Sequence, residues 1–256
     1  MRQNLNTEKL QKVLARAGIG SRRQMERWIV AGKIKINNLT ATLGARVTAQ
    51  DQIKINGRIL KKHQNLDKKS SLEIILYHKP VGRICTRRDP ARRKTVFANL
   101  PKPLTGRWVS VGRLDINTSG LILFTNNGDL ANRLMHPSSN IDREYAVRTY
   151  GAATPEQLAR IRSGIKVKGD MVKFVDAVDS GGEGRNHWYH VVLNEGKNRE
   201  VRNIFAAIGL PVNRLIRVRY GPFLLANLRP GKTKSLNKQD VKYLEEYLKK
   251  CRRDQS

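Results

Sequence analysis

Apolar residues Leu10, Val13, Leu14 and Ala17 recur at the three-and-four spacing of a helix, so a short first helix is predicted, capped by Asn6 or Thr7 and stopped by Gly18. Ser21 with Gln24 three residues on forms a capping box, and Met25, Trp28 and Ile29 give a second helix one apolar side before Gly32 ends it. The period then changes to two in KIKINN and in IKING at residues 53–57, where Asn56 and Gly57 offer a tight hairpin turn. Two helices feeding a small sheet are the expected N-terminal unit.

Polar HQNLDKKSS at 63–71 has no periodicity and is expected to be a linker. Beyond it LEIILYHKP, RWVSV, GLILFT, REYAVRTYG, VKFVDAV, HWYHVVLNEG and RLIRVRYG read as strands, and SGGEGR at 180–185 as a hairpin loop. Helices are predicted near 129–135, 155–163, 199–208 and 238–250. The expected fold class is α+β: an N-terminal domain over 1–65, a linker at 66–71, and a mixed, mainly antiparallel sheet domain flanked by helices over 72–256. In the third of these helices Val201, Ile204, Phe205 and Ile208 make one apolar stripe, while Arg199 and Arg202, three apart, share an adjoining side and are expected to face a cleft.

Charge sharpens this picture. Of 256 residues, 50 are Lys or Arg and 21 Asp or Glu, a formal net charge of +29, and both parts of the chain share the excess. A compact body with that much like charge repels itself, which points to a polyanionic partner, with nucleic acid the leading candidate. On the second predicted helix Arg22, Arg23 and Arg27 form a positive stripe continued by Lys33 and Lys35. A second cluster, RRDPARRK, sets Arg87, Arg88, Arg92 and Arg93 between two strands, where they are expected to grip a nucleic-acid backbone.

Several chemistries lack their signatures. No glycine-rich phosphate loop follows a predicted strand, so hydride transfer and ATP use are not indicated. Cys85 and Cys251 have no zinc-type spacing, and His187 and His190 fall on opposite faces of one strand, so no metal is expected. No run approaches the roughly 20 apolar residues of a membrane span, and MRQNLNTEKLQ has no apolar leader core, so a cytoplasmic protein without membrane contact is expected. What stands out is Asp115, without an acidic neighbour for ten residues on either side, in a loop before a buried strand. Such an aspartate could simply bond its own turn.

Four stretches that occur together in this chain change its standing. GRLDINTSGLILFTNNGDLANRL resembles the catalytic motif of the pseudouridine synthases, in the bacterial ribosomal RsuA/RluB family. YHKPVG, REYAVRTYG and LNEGKNREVRNIFAAIGLPVNRLIRVRYGP resemble further family motifs, and the wording around Asp115 looks most like the large-subunit members. EKLQKVLARAGIGSRRQMERWIVAGKIKINN resembles an alpha-L RNA-binding domain of the ribosomal protein S-four type, over residues 6–65.

The resemblance implies that Asp115 is the catalytic carboxylate, Tyr145 packs on the target uracil, Arg202 pairs with Asp115, Val201 is an apolar wall and Arg113 enters the RNA. Lys197 joins them as a substrate contact. It implies isomerisation of a uridine in ribosomal RNA, presented by a large-subunit stem-loop, without cofactor and by a monomer. The chemistry fits these residue types. An aspartate, with an ordinary pKa of about 3.9, is ionised at neutral pH and needs no adjacent base, and a guanidinium offsets the desolvation that a base closing over it would cause. Two other readings stay open from the residues alone. One is an inert RNA-binding or assembly factor; the other is a base-excising glycosidase, with Asp142 or Glu144 as the second carboxylate.

Overall fold

A computed structural model describes residues 7–60 and 72–253. The expected linker at 66–71 lies outside the described residues.

The chain divides into two compact units. The first comprises residues 1–73 together with 102–109 and 125–128. It holds β1 (Glu8–Lys9), α1 (Leu10–Arg16), α2 (Arg22–Val30), β2 (Ile34–Ile36), β3 (Leu39–Thr40), β4 (Arg46–Val47), β5 (Ile53–Ile55) and β6 (Arg58–Ile59). Leu10, Val13 and Leu14 of α1 close on Met25 and Ile29 of α2 and on Ile34 and Ile53 of the sheet, so the period-3.6 and period-2 apolar positions meet in one core. Ser21 caps α2 by accepting from the Gln24 backbone N–H at 3.1 Å. The cap expected for α1 differs: Lys9 is the N-cap, without a side-chain bond, because residues 8–9 pair with β4 and Thr7 is held by the Arg46 guanidinium. Asn56 and Gly57 turn the β5–β6 hairpin with φ of 47° and 79°, the double positive φ such a turn needs.

The second unit comprises 74–101, 110–124 and 129–256. Its strands are β7 (Ile74–Lys79), β8 (Val109–Val111), β9 (Ser119–Thr125), β10 (Arg143–Tyr150), β11 (Ile165–Val167), β12 (Asp170–Val172), β13 (Asp176–Glu183), β14 (Asn186–Leu193), β15 (Val212–Tyr220), β16 (Phe223–Leu224) and β17 (Thr233–Ser235). Its helices are α3 (Gly128–Met135), α4 (Pro155–Ser163), α5 (Glu200–Ala207) and α6 (Lys238–Arg253). A nine-stranded sheet runs β13-β14-β10-β15-β9-β7-β17, with β16 on β15 and β8 on β9. Pairing is antiparallel from β13 to β15, and β15 runs parallel to β9. Two expected segments are redrawn. VKFVDAV is split, ending β12 and starting β13, with Phe174 buried between them, and most of SGGEGR is strand, the turn itself being Gly184–Arg185. Leu121, Ile122, Leu123 and Phe124 are fully buried, as expected of a strand covered on both faces.

Candidate active site

Asp115 sits in the loop between β8 and β9, and that loop is fastened from below. The segment Lys79–Cys85, which begins within the YHKPVG motif and runs three residues past it, supplies the fastening. Lys79 Nζ donates to the carbonyls of Thr118 at 2.7 Å, Pro80 at 3.1 Å and Ile116 at 3.4 Å. Gly82 N–H donates to Ile116 O at 2.9 Å, and Cys85 Sγ lies 3.4 Å from both N and O of Leu114. Lys79 is fully buried, and desolvation lowers its pKa to about 8 against the opposing pull of Cys85 and Asp115. A buried ammonium with three carbonyl acceptors is satisfied, and it fixes the backbone on either side of Asn117. The Asp115 carbonyl in turn accepts from Thr118 N–H at 3.0 Å, so the turn is made by backbone and leaves the carboxylate, 29 % exposed, for other use.

That carboxylate lines a cleft of about 590 Å³. Of the implied residues, Arg113, Tyr145, Lys197 and Val201 line it too; Arg202 does not. Tyr145 projects from β10 and is 9 % exposed, with Arg217 its cross-strand neighbour on β15. Arg143 and Arg217 stack their guanidinium groups over the ring of Tyr220, at 5.3 and 5.0 Å, and Tyr220 Oη donates to Leu134 O. Arg143, Arg217 and Tyr220 also line the cleft, and sequence reading missed them. Their signal was the repeated arginine at strand positions otherwise buried, in REYAVRTY and RLIRVRY.

The ion-pair partner of Asp115 is corrected. Arg199 Nη1 lies 3.9 Å from Asp115 Oδ2, whereas Arg202 donates to Asn117 O at 2.9 Å and Val212 O at 2.8 Å. The reason is the helix boundary. Arg199 is the N-cap of α5 in the left-handed conformation, φ 53°, so the expected three-residue spacing to Arg202 does not put both on one helix face. Desolvation lowers the pKa of Arg202, Arg199 adds to the effect and Asp115 opposes it. Arg202 therefore acts as a clamp on the Asp115 loop. Arg202→Lys is expected to lose one of the two carbonyl contacts, about 1.5–3 kcal/mol, and to lower kcat/KM roughly 10–100-fold. Arg199→Lys touches a long, half-exposed pair and should cost at most about fivefold. Steady-state kinetics on both variants compares them, and a larger loss at Arg199 would reverse the assignment.

The carboxylates proposed for a glycosidase lie elsewhere. Glu144 projects from the face of β10 opposite Tyr145. Burial pushes its pKa up, but hydrogen bonds from Arg219 and His190, both at 2.8 Å, outweigh it and hold the group below its ordinary value. Asp142 also pairs with Arg219, at 3.4 Å, and neither lines the cleft. His187 bonds Asp179 and His190 bonds Glu144, and no cluster of His, Cys, Asp or Glu suited to a metal occurs among the described residues. No described helix is long and apolar enough to cross a membrane.

The basic clusters are exposed. Arg22, Arg23, Arg27 and Lys33 are on the surface of the first unit, and Arg87, Arg88, Arg92 and Arg93 on that of the second. The 87–94 segment is an ordered turn: Arg93 pairs with Asp89 at 2.7 Å, and Arg87 lies over Phe97 at 4.2 Å.

Comparison with known proteins bears on the family and the fold. The family described as RNA pseudouridylate synthase matches residues 73–207, and the S4 domain matches residues 8–53. A Pseudomonas aeruginosa protein named ribosomal large subunit pseudouridine synthase B is 48% identical over 93% of this chain, which spans 62% of that relative. Its Haemophilus influenzae namesake is 47% identical over 94% of this chain and is covered over 68% of its own length. A crystal structure of a pseudouridylate synthase, 24% identical, shares the fold with a TM-score of 0.63, over 92% of this chain and 99% of that one. A carboxylate loop clamped from beneath, an aromatic strand facing it and an S4 domain ahead of both thus occur in one polypeptide, and the chain belongs to the RNA pseudouridylate synthase family.

Proposed function

We propose that this chain converts a specific uridine of ribosomal RNA, in a large-subunit stem-loop, to pseudouridine. The observation that carries this reading is the Asp115 carboxylate, set among arginines in a cleft shared with Tyr145. The reaction breaks the bond from ribose C1′ to N1, turns the base, joins C1′ to C5, and moves a proton from C5 to N1. Substrate and product are isomers, so the balance needs no donor or oxidant. Asp115 is the group acting near C1′, Tyr145 packs on the extruded uracil, Val201 is the apolar wall, and Arg113 and Lys197 contact the RNA.

Residues 72–256 carry the chemistry, and residues 1–65 hold the substrate through Arg22, Arg23, Arg27 and Lys33, with Arg87, Arg88, Arg92 and Arg93 gripping the backbone. The protein acts in the cytoplasm as a monomer. Extrusion of a base costs a few kcal/mol, offset by stacking and by phosphate contacts drawn from the +29 charge. Affinity for a ribosomal stem-loop is therefore expected to fall about 10³-fold or more between roughly 50 and 200 mM salt, as counterions released on binding lose their advantage. A flat salt response, measured by filter binding, would contradict the phosphate contacts. Mapping pseudouridine across ribosomal RNA from a strain lacking this chain tests the function itself: one position should read as unmodified uridine and regain the modification on complementation.

A further inference from the structure

Two arginines of the cleft are buried, and among the described residues neither pairs with an acid. Arg217 is 2 % exposed; its Nε donates to Leu121 O at 2.7 Å, its guanidinium lies 5.0 Å from the ring centre of Tyr220, and its Nη2 is buried without a hydrogen-bond acceptor. Arg143, on the same ring, gives Nη1 to two carbonyls, Ile141 O at 2.8 Å and Asn194 O at 2.7 Å. The acids that line this cleft are engaged elsewhere: Asp115 pairs with Arg199, Glu195 with Lys197, and Glu200 accepts from the Lys197 backbone N–H. Carbonyl oxygens and a ring face lessen the cost of burying a cation but leave its charge in place, and an uncompensated buried charge weakens a fold. Two such cations on one tyrosine suit a negative charge that arises on the substrate.

The reaction proposed for this cleft creates one. When the C1′–N1 bond breaks so that a carbon can take the place of N1, the bonding pair stays with the base, whose negative charge spreads over N1, O2 and O4. The ring turns, electrons at C5 form the new bond to C1′, the proton of C5 passes to N1, and the Asp115 carboxylate is regenerated. Strand register fixes where the cations stand relative to that base. Tyr145 faces Arg217 across β10 and β15, and cross-strand Cβ atoms are about 4.5–5.5 Å apart, so a uracil packed on Tyr145 is one side chain away from the guanidinium. Arg217 has too little surface to hold a phosphate, and its charge acts from behind the tyrosine. We propose that Arg217, with Arg143 beside it, is a fixed positive charge that stabilises the uracil anion as C1′–N1 breaks. Leu121 O and the Tyr220 ring already hold the guanidinium, so no reorientation is needed at that moment. The inference rests on the proposed function.

Arg217→Met removes the charge and keeps an unbranched apolar side chain. Because an unpaired buried cation goes with it, melting temperature should stay within about 5 °C of the wild type. In single turnover, pseudouridine formation should slow on the order of 10- to 100-fold, while stem-loop affinity should change less than about threefold, since no phosphate contact is lost. An unchanged rate overturns the proposal, and so does a loss confined to affinity. A second substrate separates charge from packing. Fluorine at C5 withdraws electrons and makes the base a better anion, so on a stem-loop transcribed with 5-fluorouridine the shortfall of the variant, read as loss of the N1-linked nucleoside at the target, should shrink by at least about threefold. A shortfall equal for both bases assigns Arg217 to packing and overturns the proposal. If Arg217→Met does not fold, Arg217→Lys, whose ammonium cannot take the guanidinium's place on Tyr220, goes through the same two-base comparison, with the same outcome overturning the proposal. A wild type that forms no pseudouridine removes the functional reading and this inference together; an active wild type matched by Arg217→Met removes this inference alone.

Discussion

Replacing Asp115 with Asn is expected to abolish pseudouridine formation, by at least about 10³-fold in kcat, while leaving melting temperature and RNA affinity near those of the wild type. The backbone, not the side chain, makes the Asp115 turn, through its carbonyl and Thr118 N–H, and the loop is fastened by Lys79, Gly82 and Arg202 acting on other residues. The carboxylate itself makes one long pair, 3.9 Å to Arg199 at the cleft surface, worth no more than about 1 kcal/mol. Asn fits the same space and takes away the negative charge. Single-turnover assay on a ribosomal stem-loop measures the effect. An inert RNA-binding factor would lose nothing by this substitution, so wild-type behaviour of the variant in cells lacking the parent chain would favour that class. Release of free uracil by the wild type would favour base excision.

The second large effect is structural. Gly120, beside Arg217 where β9 and β15 run parallel, has φ 112°, and a Cβ there would lie 2.3 Å from Arg217 O and 2.4 Å from Arg217 N. Both are backbone atoms of a paired strand and cannot swing aside. Gly120→Ala should therefore cost about 4 kcal/mol or more, a fall in melting temperature of roughly 10 °C or failure to accumulate as soluble protein. Because Arg217 is cross-strand from Tyr145, any repacking that accommodates the methyl should also lower activity. A melting temperature within a few degrees of the wild type would show that the two strands do not approach so closely.

Much of the architecture was legible where one periodicity dominated. GLILFT, REYAVRTYG and the stripe Val201–Ile204–Phe205 lie in strands and a helix as expected, because burial of those side chains permits little else. Legibility failed where backbone geometry or a distant partner decided. Nothing in GKNREVR shows that Arg199 takes a left-handed conformation and that the helix begins after it, and this detail brings Arg199 rather than Arg202 within 4 Å of Asp115. Thr7 reads as a cap, but a strand pairing with residues 46–47 takes it. The β11–β12 hairpin was passed over because IKVKGDMV mixes charge into short strands, and its turn uses Lys168 and Gly169, both at positive φ. Asp115 stood out because it is isolated among basic and apolar neighbours; the lysine beneath its loop could not be seen, since a Lys in YHKP gives no sign that it is fully buried.

The parallel register that sets Ser119 beside Ile216 has a bearing on how the protein is made. Nearly a hundred residues separate the Asp115 loop from the strand that completes its surroundings, so loop closure must precede any reward from that pairing. During synthesis the segment bearing Asp115 leaves the ribosome well before its neighbours on β15 exist, whereas α1, α2 and the β5–β6 hairpin pack through contacts closer in sequence. The surroundings of Asp115 are therefore completed only once β15 has been made.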